Sequence, residues 1–357
     1  MTHLTPYKLL FIGSYADTSE PGVYICQYHE LTGELQLLDM VSGLRNPTFL
    51  DVDAEAERLY VLMEEQDAAG KRYGAVAAFE INLCSGTLVL LNKIATLPSP
   101  TCHLTLDKAR RFLITASYHG GMVGLSPILA DGRIGETLDS HQHVGSSLLP
   151  AQCQARCHSA TLDASNQFAI VCDLGLDKII SYQLDSQSGR LVPRSEAKLN
   201  PGSGPRHFVF HPYLPFAYVI NELNSTITGF TYAEETGELT EIQTISTLPA
   251  TYSEDNACAD IHISPDGRYL YGSNRGHDSL AVYAVDSTAG TLTIVEYAPT
   301  LGGHPRNFAL SRDGRFVWVA NRDSNHVVTF SRDAETGKLL PTGYELSIAK
   351  PVCIRFM

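Results

Sequence analysis

The chain has 357 residues, with 26 Lys and Arg against 39 Asp and Glu and a formal charge of −13. That balance excludes the broad basic surface that nucleic-acid phosphates require, although a few arginines still suffice for a local positive pocket. No apolar run approaches the ~18–20 residues of a membrane span, no basic stretch leads into an apolar one near Met1, and the eight cysteines lack framework spacing. A cytoplasmic protein without nucleic-acid or membrane partners is expected.

Tyr and Phe are plentiful and long Leu/Ala/Glu/Lys periodic runs are absent, which favours strands. In chain order, one turn recurs: Thr32-Gly-Glu-Leu, Ser85-Gly-Thr-Leu, Asp131-Gly-Arg-Ile, Ser188-Gly-Arg-Leu, Thr236-Gly-Glu-Leu, Ala289-Gly-Thr-Leu and Thr336-Gly-Lys-Leu. The seven glycines lie about 46 to 57 residues apart, a spacing that suits four-stranded propeller blades. Glycine fits there because such hairpin turns need positive φ. A second marker runs in phase, clearest at Ser264-Pro-Asp-Gly-Arg-Tyr and Ser311-Arg-Asp-Gly-Arg-Phe, looser at Asp53, Asp107, Asp163 and His211. Each joins a first strand to a second.

The ends complete the count. The chain opens near Tyr7 on a second strand and closes on Pro351-Val-Cys-Ile-Arg-Phe, which reads like the first strand of a unit. The C-terminal strand therefore completes the N-terminal blade and leaves no unpaired edge at the seam. The expected fold is all-β: one domain over residues 1–357, a seven-bladed β-propeller of four-stranded antiparallel blades. Two stretches depart from the unit, a longer loop at Asp67–Tyr73 and an insertion from Asp139 to Ala155.

Aligning the blades separates scaffold from specialisation. The residue after the opening proline of each first strand is Thr48, Cys102, His158, Arg206, Ala259, Arg306 or Val352. The next is Phe49, His103, Ser159, His207, Asp260, Asn307 or Cys353, and the second strands end at Tyr15, Glu64, Tyr118, Leu174, Glu222, Arg275 and Arg322. Strongly polar residues gather in the fourth to seventh blades. Because loops at these strand ends share one face, His158, Arg206, Glu222 and Arg275 are expected at one mouth. Bland readings stand beside this: Glu222, Arg275 and Arg322 as turn residues, His158 as a core histidine, and His207, Asp260 and His262 as a structural hydrogen-bond set. Arg206 is hardest to dismiss, since a guanidinium beside a buried strand needs a partner. His103, His119, His141, His143 and His277 carry no motif and are expected on the surface or in loops. Cys153, Cys157 and His158 lie close in sequence, but without a second close pair they read as inert thiols rather than a metal site.

Cys157-His-Ser-Ala, Gly204-Pro-Arg-His-Phe-Val-Phe-His-Pro, Val219-Ile-Asn-Glu-Leu-Asn-Ser and Ala259-Asp-Ile-His-Ile-Ser-Pro-Asp-Gly-Arg, with Asn274-Arg beyond, resemble the propeller-type lactonase family. That family includes bacterial propeller 6-phosphogluconolactonases and fungal carboxy-cis,cis-muconate lactonizing enzymes. The resemblance runs from about Tyr7 to Phe356. It implies a site on His158, Arg206, Glu222 and Arg275 and a small anionic sugar-lactone substrate, 6-phosphogluconolactone first. Lactone hydrolysis needs an activated water and positive charge at the developing oxyanion. Glu222 is the expected base, with His158 as alternative base or as acid. Arg206 and Arg275 are expected on oxyanion or phosphate, with His207, Asp260, Arg306 and Asn307 as substrate-binding residues. Neither a metal nor another cofactor is needed. A muconate-type cycloisomerase and a non-catalytic ligand- or protein-binding propeller are the alternatives.

Overall fold

A computed structural model of the chain, describing residues 7–357, contains 28 strands in seven four-stranded antiparallel sheets. Each sheet is one blade, and the innermost strands neighbour one another around a closed ring. In the first blade the innermost strand is the C-terminal Pro351–Phe356, paired with Tyr7–Ser14 through Leu10↔Phe356, Phe11↔Arg355 and Ile12↔Ile354. The seam is packed as well as hydrogen-bonded. Leu10, Ile12 and Ile354 share a buried cluster with Trp318, Ala320 and Val327 of the seventh blade.

The recurring glycines do more than turn the chain. All seven have positive φ, between 66° and 86°. Six of the tight turns pack on an aromatic or aliphatic side chain of a neighbouring blade, and that of Gly132 on Arg58: a Cβ on Gly33 would meet Phe316 at 2.6 Å, one on Gly237 Phe168 at 2.6 Å, and one on Gly290 Phe216 at 2.5 Å. The carbonyls of Gly33, Gly290 and Gly337 accept hydrogen bonds from Trp318 Nε1, Tyr218 Oη and Tyr271 Oη. The second marker is equally purposeful. Its first residue accepts the backbone N–H that opens the second strand, through Asp107 to Phe112 (2.6 Å), Asp163 to Phe168 (2.9 Å), Ser264 to Tyr269 (3.0 Å) and Ser311 to Phe316 (3.0 Å).

Two expectations change. Asp67–Tyr73 is not simply a longer loop, because the strands Arg58–Gln66 and Arg72–Asn82 extend as a ladder and leave only residues 67–71 to turn. Asp139–Gln142 is the outer strand of the third blade rather than part of an insertion. Only residues 143–156 connect to the fourth blade, with a 3₁₀ turn at Pro150–Gln152.

Candidate active site

The register of the innermost strands explains how the polar side chains reach the mouth. Pairing skips one residue at His158, between Cys157 and Ser159, at Arg206, between Pro205 and His207, and at Arg306, between Pro305 and Asn307. The same irregularity recurs at Val352, and a wider one skips Ala259 and Asp260. A bulged residue leaves the ladder and its side chain is re-aimed. The position that varies most between blades is thus the one freed from sheet geometry.

Arg206 extends from the fifth blade, 2% exposed. Its Nε donates to Glu222 Oε2 at 2.8 Å, and its Nη1 donates to the Ala259 carbonyl of the sixth blade at 2.6 Å. Alanine at that aligned position leaves room for the guanidinium to reach across. Glu222 follows the second strand of the same blade, where its N–H donates to the Gly204 carbonyl at 2.7 Å. Arg275 of the sixth blade donates to the Ala257 and Cys258 carbonyls at 3.2 and 2.6 Å, and its Nη2 lies 3.0 Å from Glu222 Oε2. One carboxylate oxygen therefore holds two guanidiniums.

Burial pushes the Glu222 carboxyl up, but Arg275, Arg206 and Arg306 outweigh it and the net shift is down. Burial, with Arg306 and Arg275 nearby, presses Arg206 down to about 9, still cationic at neutral pH. His158 stands on the wall of the same cavity, 4% exposed, with its ring 5.6 Å from that of Tyr118. Its Nδ1 is buried without a hydrogen-bond partner. Burial and then Arg206 hold the imidazole well below its usual range, so it is neutral.

The mouth cavity measures about 260 Å³ and is lined by His158, Glu222 and Arg306 together with Tyr15, Glu64 and Tyr118. Arg206 and Arg275 stand behind Glu222. The other expected binding residues sit deeper. His207 Nδ1 donates to Asp260 Oδ1 at 2.6 Å, and Asp260 Oδ2 takes bonds from His262 Nε2 at 3.0 Å and from Asn307 Nδ2. His207 Nε2 lies 3.2 Å from Arg206 Nη1 and so accepts from it. Asp260, His207, Arg206, Glu222 and Arg275 form one continuous polar chain. His207, Asp260 and His262 also border a second cavity of about 230 Å³ below the mouth, with Asp51, His103 and Arg355.

Two histidine expectations are corrected. His103 and His143 are buried, not surface groups. His103 lies against Phe49 and His207, with ring centroids 4.2 and 5.4 Å away. Cys153 is exposed and His158 faces the mouth, so the three neighbours in sequence do not cluster. Cys157 instead meets His143 Nδ1 at 3.1 Å beside Asp173, whose Oδ2 is 2.7 Å from that nitrogen; Tyr182 Oη is bonded to His143 Nε2 at 2.8 Å. Nothing in the local sequence of His143 signals this, because its partners come from the next blade.

The family model described as "Lactonase, 7-bladed beta-propeller" matches residues 9–356. The chain belongs to that family. It is 33% identical over 348 residues to a 6-phosphogluconolactonase of Bacillus subtilis, covering 97% of each chain. Among solved structures, a periplasmic gluconolactonase of Pseudomonas aeruginosa superposes with a TM-score of 0.91 at 30% identity, covering 98% of this chain and 99% of that one. A protein from Lactobacillus plantarum gives the same TM-score, 0.91, at 32% identity, again covering 98% and 99%.

Proposed function

We propose that the protein hydrolyses a sugar δ-lactone, with 6-phospho-D-glucono-1,5-lactone as the substrate and 6-phosphogluconate as the product. The observation that carries this is the carboxylate of Glu222, shared by two buried guanidiniums, facing the neutral imidazole of His158 across one small cavity. At about 260 Å³ it suits a single sugar ring, below the range of about 300–1,000 Å³ that drug-sized ligands occupy. The names of the relatives point to the same substrate class.

His158 takes the proton of the attacking water. It is uncharged and stands on the wall of the cavity. Glu222 is the weaker choice for the base, because its Oε2 is already taken by two guanidiniums. Its part is to hold Arg206 and Arg275 behind the cavity wall, where their charge, with that of Arg306 on the wall, favours the oxyanion through the low-dielectric site as the carbonyl carbon becomes tetrahedral. His158, then protonated, returns the proton to the ring oxygen as the lactone C–O bond breaks. His207, Asp260 and Asn307 act one layer behind, orienting Arg206 rather than touching substrate.

The primary test couples freshly prepared 6-phosphogluconolactone to the dehydrogenase that oxidises its product. Hydrolysis no faster than the spontaneous rate removes the proposal. His158→Ala is expected to lower kcat by roughly 10²–10⁴, the usual loss with a general base. The acid limb of kcat/KM should lie below pH 6.5, because the base must be deprotonated and its pKa is depressed. In Glu222→Gln that limb should move lower still, as uncompensated guanidiniums press further on His158. Disappearance of the limb in Glu222→Gln would instead make Glu222 the base.

A further inference from the structure

The mouth gathers three guanidiniums, and two of them are already answered. Arg206 and Arg275 share Glu222 and spend further donors on backbone carbonyls. Arg306 is different. Among the described residues it makes no hydrogen bond and no ion pair; its guanidinium carbon sits 5.6 Å from the Tyr15 ring centroid, on the wall of the same cavity. It is close enough to bear on Glu222, Arg206, Arg275 and His158 electrostatically. Against these three cations the mouth sets Glu222, and also Glu64, which is itself paired with Arg72 at 3.2 Å. The mouth is left net positive, and of the three guanidiniums only that of Arg306 lines the cavity.

Its position gives a direction. Tyr15 is a wall common to the mouth cavity and to an outer hollow of about 520 Å³ lined by Tyr15, Arg322, Asp323, Asn325 and Lys350. Arg322 is paired with Asp323 at 2.6 Å, while Lys350 has no ion pair among the described residues. Positive charge therefore continues outward on the side of the seventh and first blades. The opposite wall carries His158 and Tyr118.

Resting on the lactonase reading, we propose that Arg306 is the specificity residue for the substrate's phosphate, binding it against Tyr15 while the lactone carbonyl lies on the His158 side. Two features support Arg306 over Arg206 and Arg275. Its donors are uncommitted, so no internal hydrogen bond is broken when phosphate arrives, and a guanidinium fork matches phosphate oxygens. The phosphate of 6-phosphogluconolactone is carried beyond the ring oxygen, away from the carbonyl. A substrate spanning the cavity from His158 to Tyr15 places both groups at once.

The test measures kcat/KM for 6-phosphogluconolactone and for glucono-1,5-lactone in the wild type, Arg306→Gln and Arg306→Lys. The wild-type preference for the phosphorylated lactone should fall roughly 10- to 100-fold in Arg306→Gln, the worth of a charge-assisted hydrogen-bond set, and recover in part in Arg306→Lys. A preference ratio unchanged by Arg306→Gln, or no preference in the wild type, overturns the assignment while leaving the lactonase reading intact. Calorimetric binding of 6-phosphogluconate and of gluconate provides a readout that needs no turnover. If neither lactone is hydrolysed, the lactonase reading falls. Loss of the phosphate-dependent part of the affinity in Arg306→Gln then still supports the anion site, and unchanged affinity overturns it too.

Discussion

Arg206 is almost fully buried and cationic, a costly combination unless every donor is answered. Glu222, the Ala259 carbonyl and the ring of His207 answer it in three directions. His207 can accept from Arg206 only because its Nδ1 proton is held by Asp260; burial and then Arg206 press its pKa down to about 4. The tautomer is thus set from below the mouth. An ammonium at position 206 reaches one partner but not the fork, so Arg206→Lys is expected to lower kcat/KM by roughly 10- to 100-fold. Lactonase kinetics on a variant of unchanged melting temperature would check this, and an unchanged kcat/KM would refute the assigned role. The need of Arg206 for a partner is legible in sequence. Which partner answers it is not, since Ala259 lies 53 residues away.

At the scale of the strand, the innermost ladder provides rigidity and its bulges free side chains from it. In five of the seven blades such a bulge interrupts the innermost ladder at the same level, and the blades differ in what they place there. The outer turns do the opposite and are alike in all seven blades, because each must fit beneath a large side chain of its neighbour. Gly33→Ala places a Cβ 2.6 Å from Phe316 at a φ of +73°. The expected cost is about 1–3 kcal/mol from backbone strain and overpacking together, read as a lower midpoint in urea with an unchanged slope. Equal midpoints would mean that the turn relaxes without consequence for the packing between blades. Glycine periodicity is visible in the sequence. The bulges are not, because one unpaired residue leaves the composition of a strand unchanged.

Across the molecule, ring closure brings residues distant in the chain to one cavity. His158 and Arg275 lie more than a hundred residues apart in the chain, yet His158 shares the mouth cavity with Glu222 and Arg275 pairs with it, because successive blades converge on one axis. Closure also buries neutral histidines near that axis. Desolvation, followed by neighbouring positive groups, holds His103 and His158 well below their usual range, and His207 at about 4. A histidine whose folded pKa is depressed binds fewer protons in the native state than in the unfolded chain. Stability is therefore whole above the unfolded value near 6.5 and declines as pH falls below it. Asp260, where burial is overcome by His262 and His207, adds a loss of the same sign at lower pH. Thermal melts should show the midpoint falling from about pH 6.5 downward. A midpoint flat to pH 4.5 would mean that these imidazoles titrate freely.

The repeat count, the closing role of Pro351–Phe356 and the aligned positions of His158, Arg206, Glu222 and Arg275 were determined by sequence alone. Periodicity, turn chemistry and strand polarity are local properties, repeated often enough to be counted. Only the tertiary structure decided which of these groups face the cavity. It set His207, Asp260 and Asn307 behind Arg206, buried His103 and His143, and left Arg306 unanswered at the mouth. Those outcomes depend on distances between blades, and a distance between blades exists only once the ring has closed.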